Sequence, residues 1–298
     1  MTAFEKTTGM RIVTLLARHG TAKYAGAPQD IRALFKATLP DVRHEMLIAD
    51  NALPVGHVET DASGATVIGA SNAAWEFSAW DSAVTHLGDA LDRFDFVHLA
   101  TSAFRQLYVR YLDRFGSAML GLVQGRAAAV GHIDYYGQPV SLLGVGCQSW
   151  LRTSYVFLPP AEVRLLGSFA SVGDGSLFFS DDPTQPFLPE APVSAEYRKN
   201  ILGWLTGDGT DQGTEWHSRF VLDARTLPFF KQKALAIFNE QMLSNRLRAQ
   251  GCVTVDATWL ATVAASGAWP RGGPLPPWQL QVSGRDTDAA PPDLRVPE

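Results

Sequence analysis

The chain is poor in cysteine and contains no long apolar run. Its 298 residues include two cysteines, Cys147 and Cys252, which lack metal-ligand spacing, so we expect buried thiols in a reducing compartment. No apolar run reaches the ~20 residues that a membrane-spanning helix needs. The N-terminal segment lacks the apolar core of a signal peptide. We therefore expect a cytoplasmic protein without a transmembrane segment, and the sequence leaves peripheral membrane contact open.

Charge is also scarce, and basic residues do not cluster. Charged residues make up 18% of the chain and the net charge is -5, which argues against a nucleic-acid partner. Hydrophobic residues make up 46%, enough for a sizeable core. We expect a single domain over residues 1–265 and a Pro- and Gly-rich C-terminal tail over residues 266–298.

Short apolar runs alternate with helical patterns along the chain. This alternation predicts an α/β fold with a mixed, mostly parallel sheet flanked by helices. The predicted strands are 11–17, 45–49, 67–69, 94–99, 127–133 and 140–145, with a further apolar run ending at 159. The predicted helices are 28–38, 75–91, 195–205 and 231–249.

Polar residues follow several of the predicted strands. In a parallel sheet, ligands bind where the carboxyl ends of the strands meet the loops. The side chains expected at this edge are those of Arg18, His19, Gly20, Asp50, Asn51, Asn72, Thr101 and Ser102.

The first strand ends in Arg18, His19 and Gly20, a sequence that resembles the Arg-His-Gly signature of histidine phosphatases. The resemblance implies a phosphorylated His19 and needs a second histidine at the phosphate. His132 is the glycine-preceded candidate, but the expected His-Gly pair is absent there. A histidine phosphatase that uses His19 therefore stays an alternative hypothesis for the function.

Four segments in order resemble GT-A glycosyltransferases. They are EMLIADNALP (45–54), ASNAAWEFSAWDSAV (70–84), FDFVHLATSAF (94–104) and NEQMLSNRLRAQG (239–251). The resemblance spans about residues 11 to 260 and is closer to bacterial polysaccharide enzymes akin to rhamnan synthesis proteins. It implies a GT-A-like fold with a Rossmann-like nucleotide-binding half. It also implies inverting transfer of a sugar from a nucleotide-sugar to a polysaccharide or glycolipid acceptor, with Glu240 as the general base.

The resemblance also divides the remaining candidates between the donor and the acceptor. The donor side comprises the strand-end residues given above together with Glu76, a carboxylate flanked by large apolar groups. The acceptor side comprises His132, Asp134, Trp150 and Arg152, where Trp150 could offer a flat apolar face to a sugar ring. Other roles stay open, because Asn and Asp often cap loops, Trp150 could be a core residue, and Glu240 could form an ordinary surface ion pair.

The chain departs from the family pattern at Ala100, Thr101 and Ser102, where an acidic Asp-x-Asp metal motif is expected. We therefore expect no metal site and no cofactor beyond the nucleotide-sugar co-substrate, although a divalent metal stays possible. Arg18, His19 and Lys23 are then the nearest cations for the departing diphosphate. A catalytically silent nucleotide-sugar binding protein is the alternative that this departure favours.

Overall fold

One large mixed sheet dominates the residues that the computed structural model describes, which are 9–106, 109–207, 220–267, 273–283 and 285. The sheet has eight strands in the order β10-β6-β9-β5-β1-β2-β4-β3. The strands are β1 (Arg11–Arg18), β2 (Arg43–Asp50), β3 (Val58–Thr60), β4 (Thr66–Gly69), β5 (Phe96–Thr101), β6 (Ala128–Tyr135), β7 (Ser141–Leu142), β8 (Val145–Gly146), β9 (Ser149–Leu158) and β10 (Val253–Asp256). Strand β9 runs antiparallel to β5 and β6, β3 runs antiparallel to β4, and β7 pairs with β8 in a separate hairpin.

Helices cover both faces of this sheet. They are α1 (Ala27–Thr38), α2 (Trp75–Leu87), α3 (Ser117–Val123), α4 (Pro160–Leu166), α5 (Ala195–Thr206), α6 (Leu227–Ala249), α7 (Ala257–Ser266) and α8 (Trp278–Val282). Short 3-10 helices lie at Gly88–Arg93, Leu112–Arg114 and Gly175–Leu177. The predicted α/β class is confirmed. Both cysteines are free and buried, as expected.

Two local predictions are wrong for identifiable reasons. Residues 140–145 form the β7–β8 hairpin instead of one strand, because Leu143 and Gly144 both have positive φ (54° and 76°), the backbone of a tight hairpin turn. The helix predicted over 75–91 ends at Leu87, because Gly88 has a φ of 50° and starts a 3-10 segment.

The predicted C-terminal tail is folded where the structure describes it. Trp278 packs on Tyr135, with 5.4 Å between the ring centroids. The side chain of Gln281 is buried and accepts a hydrogen bond of 2.6 Å from the backbone nitrogen of Asp256. Residues 268–272, 284 and 286–298 of the predicted tail lie outside the described residues.

The side chains of the central strands alternate between two hydrophobic cores, one on each face of the sheet. In β1, Ile12 and Leu16 face a core shared with α1, α3 and α7, whereas Val13 and Leu15 face a core shared with α2, α4 and α6. This alternation follows from the two-residue period of a strand. Because both faces are covered by helices, β1 reads as a continuous apolar run in the sequence.

A third core lies beyond the sheet and holds the first half of α6. Phe230 and Phe238 of α6 pack there with Tyr197 of α5 and with Phe178 and Phe179. The second half of α6 packs on the sheet through Leu243 and Leu247. The helix is therefore fixed at both ends by separate hydrophobic clusters.

A buried polar chain crosses the core beneath α1. The hydroxyl of Thr14 lies 2.7 Å from Nε2 of His44 and 2.9 Å from Nδ1 of His98. His44 stacks on Phe35 and His98 stacks on Phe157. Burial lowers the pKa of His98 well below its ordinary value and lowers that of His44 to about 4, so both rings are neutral in the folded protein.

We predict that Thr14→Val destabilises the protein by about 1–3 kcal/mol, because the isosteric side chain leaves a buried ring nitrogen of His98 without its hydrogen bond. Urea unfolding of the variant would measure the loss. Thr14→Ser retains the hydroxyl and is the matched control. An unchanged midpoint for Thr14→Val would show that this polar chain contributes no stability.

Candidate functional site

The ends of three central strands are joined by backbone hydrogen bonds. The nitrogen of Asn51 donates to the carbonyl of Arg18 at 2.9 Å, and the nitrogen of Ser102 donates to the carbonyl of Ala17 at 2.9 Å. Strands β1, β2 and β5 are parallel, so their carboxyl ends meet at one edge of the sheet. The loops that follow these strands therefore open into a common space.

A cleft of about 390 Å³ occupies this edge, and we call it the main cleft. It contains seven of the nine residues predicted for the donor side, and Gly20 and Asp50 are the two that do not line it. Its walls come from the ends of β1, β2 and β5, from the start of α2 and from the first half of α6. The lining residues are Ala17, Arg18, His19, Asn51, Asn72, Trp75, Glu76, Thr101, Ser102, Ala103 and Gln232.

Asp50 is a support for the main cleft and not part of its surface. Its buried carboxylate accepts hydrogen bonds from Nε of Arg18 (2.7 Å) and from the backbone nitrogens of Gly20 (2.8 Å) and Ala52 (2.9 Å). Burial alone would raise the pKa of Asp50, but these hydrogen bonds outweigh burial and hold the pKa below its ordinary value. Asp50 therefore fixes Arg18 and the turn at Gly20, where φ is 64°.

Arg18 presents its guanidinium to the main cleft. Asp50 uses Nε, and the two terminal nitrogens of Arg18 make no hydrogen bond to any residue in the described ranges. Lys23, the other expected cation, is exposed in the loop before α1 and does not line the cleft.

The backbone at Trp75 is held in a strained conformation. Its φ is 53°, a region that bulky side chains rarely adopt. The carbonyl of Trp75 accepts hydrogen bonds from the amide of Asn51 (3.1 Å) and from the hydroxyl of Ser78 (2.9 Å). The amide of Asn51 also donates to the carbonyl of Ser71. These bonds fix the loop between β4 and α2 and hold the strained residue Trp75 in the wall of the main cleft. Strained backbone conformations are more common at binding sites than elsewhere.

Glu76 brings a carboxylate to the main cleft. Burial raises its pKa above the ordinary value, although the positive charge of Lys233 opposes the shift. The ammonium of Lys233 lies 4.8 Å from the ring centroid of Trp75, the neighbour of Glu76. The start of α2 and the first half of α6 are thereby linked at the cleft wall.

A smaller cavity of about 140 Å³ adjoins the main cleft, and we call it the side cavity. The two spaces share Asn72, Trp75 and Gln232. The side chain of Asn239 also lines the side cavity and ties the loop before it, because its amide oxygen accepts from the backbone nitrogens of Ser171 (2.6 Å) and Val172 (2.8 Å).

Glu240 follows Asn239 on α6 and lines neither cavity. It lies eight residues from Gln232, which corresponds to about 12 Å along the helix. The residue is part-buried, and its carboxylate accepts hydrogen bonds from the backbone nitrogen (2.8 Å) and the hydroxyl (3.0 Å) of Thr153. Desolvation raises the pKa of Glu240 to about 7; the bonds from Thr153 oppose this shift and the charge of Asp134 adds to it.

A bulge in β9 supplies the nitrogen that binds Glu240. Gly131 of β6 pairs with Val156 of β9, whereas Ile133 pairs with Leu151, so that His132 alone faces the four residues 152–155. Residues in a bulge lose ladder hydrogen bonds and re-aim their backbone groups. Thr153 can therefore donate its N–H to α6 instead of to β6.

Three of the predicted acceptor-side residues form a part-buried ionic network next to Glu240. Arg152 makes two hydrogen bonds to the carboxylate of Asp134, at 2.7 and 2.9 Å. His132 lies 3.6 Å from Asp134, stacks on Tyr111, and lies 3.1 Å from a nitrogen of Arg285. Burial, together with the nearby charge of Arg152, lowers the pKa of His132 to about 3. These side chains therefore position one another.

Trp150 corrects the expectation of a flat face for a sugar. Its side chain is 4% exposed and packs on Tyr136, with 4.7 Å between the ring centroids. It belongs to the third hydrophobic core, so its ring is not accessible to a ligand. The alternative in which Glu240 forms an ordinary ion pair is not supported for its neighbour Arg246, which donates to the carbonyls of Leu166 and Ser168 among the described contacts.

Sequence reasoning missed Trp75, Gln232, Lys233 and the network partners Tyr111 and Arg285. Trp75 had a usable signal, because it follows a polar strand-end loop and starts a helix. Gln232 lies within a predicted helix, on the turns that precede Glu240. The roles of Tyr111 and Arg285 depend on long-range packing that no local pattern shows.

The residues at the end of β5 do not fit a metal site of the Asp-x-Asp kind. Thr101 and Ser102 bring hydroxyl groups to the main cleft but no carboxylate, the ligand that hard divalent cations prefer. In the described ranges, no group of three or more His, Cys, Asp or Glu side chains is placed to hold a metal ion.

No protein-family model matches the chain. No curated protein matches it either. Across the described ranges, none of the helices combines the length and the apolar character that crossing a membrane requires.

We predict that Arg152→Met destabilises the protein by about 1–3 kcal/mol, because it leaves the part-buried carboxylate of Asp134 without its main partner. The double variant Asp134→Asn with Arg152→Met should lose less stability than the sum of the two single variants. Chemical unfolding of the unchanged protein, the two single variants and the double variant gives this comparison. If the losses of unfolding free energy in the two single variants add up to the loss in the double variant, the two charges do not stabilise each other.

Proposed function

We propose that the chain is a GT-A-like glycosyltransferase that moves a sugar from a nucleotide-sugar to a polysaccharide or glycolipid acceptor. One observation carries the proposal. Polar loops at the ends of β1, β2 and β5 line one cleft, and the helix that supplies the far wall of this cleft also carries Glu240. The mixed, mostly parallel sheet fits the fold that the sequence resemblance implies.

The main cleft offers the groups that a nucleotide diphosphate needs. Its volume of about 390 Å³ lies in the range of ~300–1,000 Å³ that is usual for small-molecule sites. Asn72 brings an amide suited to the base and ribose, and Asn51 can add its side-chain oxygen, since its amide nitrogen is bonded to Ser71 and Trp75. The hydroxyls of Thr101 and Ser102 can donate hydrogen bonds to phosphate. Arg18 brings a guanidinium whose fork matches phosphate geometry. These contacts support a site for the donor.

Glu240 has the properties of a general base for an acceptor hydroxyl. A base is most effective when its pKa lies near the working pH, and desolvation raises the pKa of Glu240 to about 7. Thr153 holds Oε1 of the carboxylate with two hydrogen bonds. Deprotonation of the hydroxyl by Glu240 would let the acceptor oxygen attack the anomeric carbon while the nucleoside diphosphate leaves.

The other two hypotheses keep separate tests. A silent nucleotide-sugar binder is favoured by the absence of a carboxylate at Thr101 and Ser102, and it predicts binding without turnover. A histidine phosphatase would use His19, which lines the main cleft. His132, its expected partner, lies instead in the ionic network with Asp134 and Arg285.

We predict that Glu240→Gln abolishes sugar transfer but leaves nucleotide binding unchanged, because the amide keeps the size of the side chain but cannot accept a proton. A thermal-shift screen with UDP-, GDP- and dTDP-sugars identifies the donor, since a ligand of the native state raises the melting temperature. Donor hydrolysis or transfer is then measured for the variant.

The matched control is Glu196→Gln on the exposed face of α5. A fully active Glu240→Gln variant would refute the role of the base. Nucleotide binding by the unchanged protein without turnover would instead favour the silent binder, and phosphate release that is lost in His19→Ala would favour the phosphatase.

We predict that the rate of transfer rises with pH through about 7 and then levels off, because the ionised form of Glu240 is the active form. Measuring kcat from pH 5 to pH 9 with the identified donor gives the profile. A rate that falls with increasing pH over this range would contradict a carboxylate base.

A further inference from the structure

Trp75, Asn72 and Gln232 form the boundary between the main cleft and the side cavity. The main cleft has room for a nucleotide. The side cavity, at about 140 Å³, lies well below the ~300–1,000 Å³ of drug-sized sites and has room for one smaller group. A ligand that fills both spaces would therefore have a large polar part joined to a compact one.

The chemistry of this boundary suits a sugar ring. Trp75 offers an apolar aromatic surface, which packs well against the C–H face of a sugar. Asn72 and Gln232 bring side-chain amides that make no hydrogen bond to any residue in the described part of the chain. Amides both donate and accept, as sugar hydroxyls also do.

The indole of Trp75 is held in place before any ligand binds. Its backbone is tied by Asn51 and Ser78, and the ammonium of Lys233 lies over its ring. A fixed aromatic side chain loses little conformational freedom when a ligand binds, which strengthens binding. None of the described residues that line the side cavity carries a charge, so the side cavity favours a neutral group.

We propose that the side cavity binds the sugar of the nucleotide-sugar donor, with Trp75 as its apolar platform and with Asn72 and Gln232 as partners of its hydroxyls. This inference rests on the proposed function. It specifies the ligand as a nucleoside diphosphate joined to a single neutral sugar ring. It also assigns the sugar-binding tryptophan to Trp75 instead of Trp150.

The location of the side cavity agrees with transfer toward Glu240. Ala236 lines the cavity and lies one helical turn before Glu240 on α6, so the two residues share one side of the helix. The cavity owes its space to small residues, since Ala73, Ala74 and Ala236 contribute to its walls. One larger side chain can therefore fill it.

The test compares two ligands, a nucleoside diphosphate and its hexose conjugate, by calorimetric titration. UDP, GDP and dTDP are each tested with their hexose conjugates. Ala236→Leu should raise the Kd of the conjugate at least tenfold and leave the Kd of the nucleoside diphosphate unchanged. Ala249→Leu makes the same substitution at an exposed position of the same helix and should change neither.

A second variant tests the platform directly. Trp75→Gly removes the indole and places at φ 53° a residue that accepts positive φ, so it adds no backbone strain. It should weaken binding of the conjugate by at least tenfold, and by a larger factor than binding of the nucleoside diphosphate, because Trp75 also lines the main cleft. A melting temperature close to that of the unchanged protein confirms folding.

Three results would overturn the inference. If Ala236→Leu and Trp75→Gly change neither Kd, the sugar binds elsewhere. If they weaken both ligands equally, the side cavity holds part of the nucleotide. In both cases the unchanged protein still binds nucleotide and the proposed function stands. If the unchanged protein binds no nucleoside diphosphate and no conjugate, the proposed function fails and the sugar site fails with it.

Discussion

The hydrogen bonds from Thr153 to Glu240 join the longest helix to the sheet at the edge where the strands end. They exist because four residues of β9 face one residue of β6, which frees a backbone N–H inside the sheet. The position of α6 does not depend on these bonds alone. Phe230 and Phe238 anchor its first half in one core, and Leu243 and Leu247 anchor its second half in another. Packing therefore sets where the carboxylate stands, and the bulge sets which way it faces.

Most charges around the site are paired, which makes the exceptions informative. Asp50 is bound by Arg18 and by two backbone nitrogens, and Asp134 is bound by Arg152. Glu76 and Glu240 instead have pKa values raised by burial. Such perturbed carboxylates are more common at functional sites than elsewhere. Under the proposed function, Glu76 faces the donor in the main cleft and Glu240 is the base on α6, outside the lining of the cleft.

Much of the sheet and of the main cleft could be predicted from sequence. Short apolar runs that end in polar residues locate parallel strands, and parallel strands bring their carboxyl ends to one edge. This rule suffices to bring Arg18, Asn51 and Ser102 together. It cannot tell a residue that lines a cleft from one that supports it, and so Asp50 was expected at the surface although it is buried.

The two tryptophans show the same limit more sharply. Trp150 and Trp75 both lie beside polar residues in the sequence, so the sequence does not indicate which of them is accessible to a ligand. The third core buries Trp150 through contacts with Tyr136, and that core is built from α5, α6 and loops distant in sequence. Trp75 stays accessible because Asn51, from another strand, holds its backbone in a strained turn. Tertiary contacts decide both outcomes, and local patterns do not record them.

Arg18 gives the proposed site a cation that is already in place when the diphosphate leaves. Asp50 binds Nε of this side chain, and the turn at Gly20 is fixed by the same carboxylate. A donor that is oriented in advance stabilises developing charge without the cost of reorganisation. Lys23 is exposed on a loop, where solvent and salt screen its charge. Under the proposed function, the carboxylate of Asp50 therefore acts on the leaving group through the guanidinium that it holds, although it never faces the ligand.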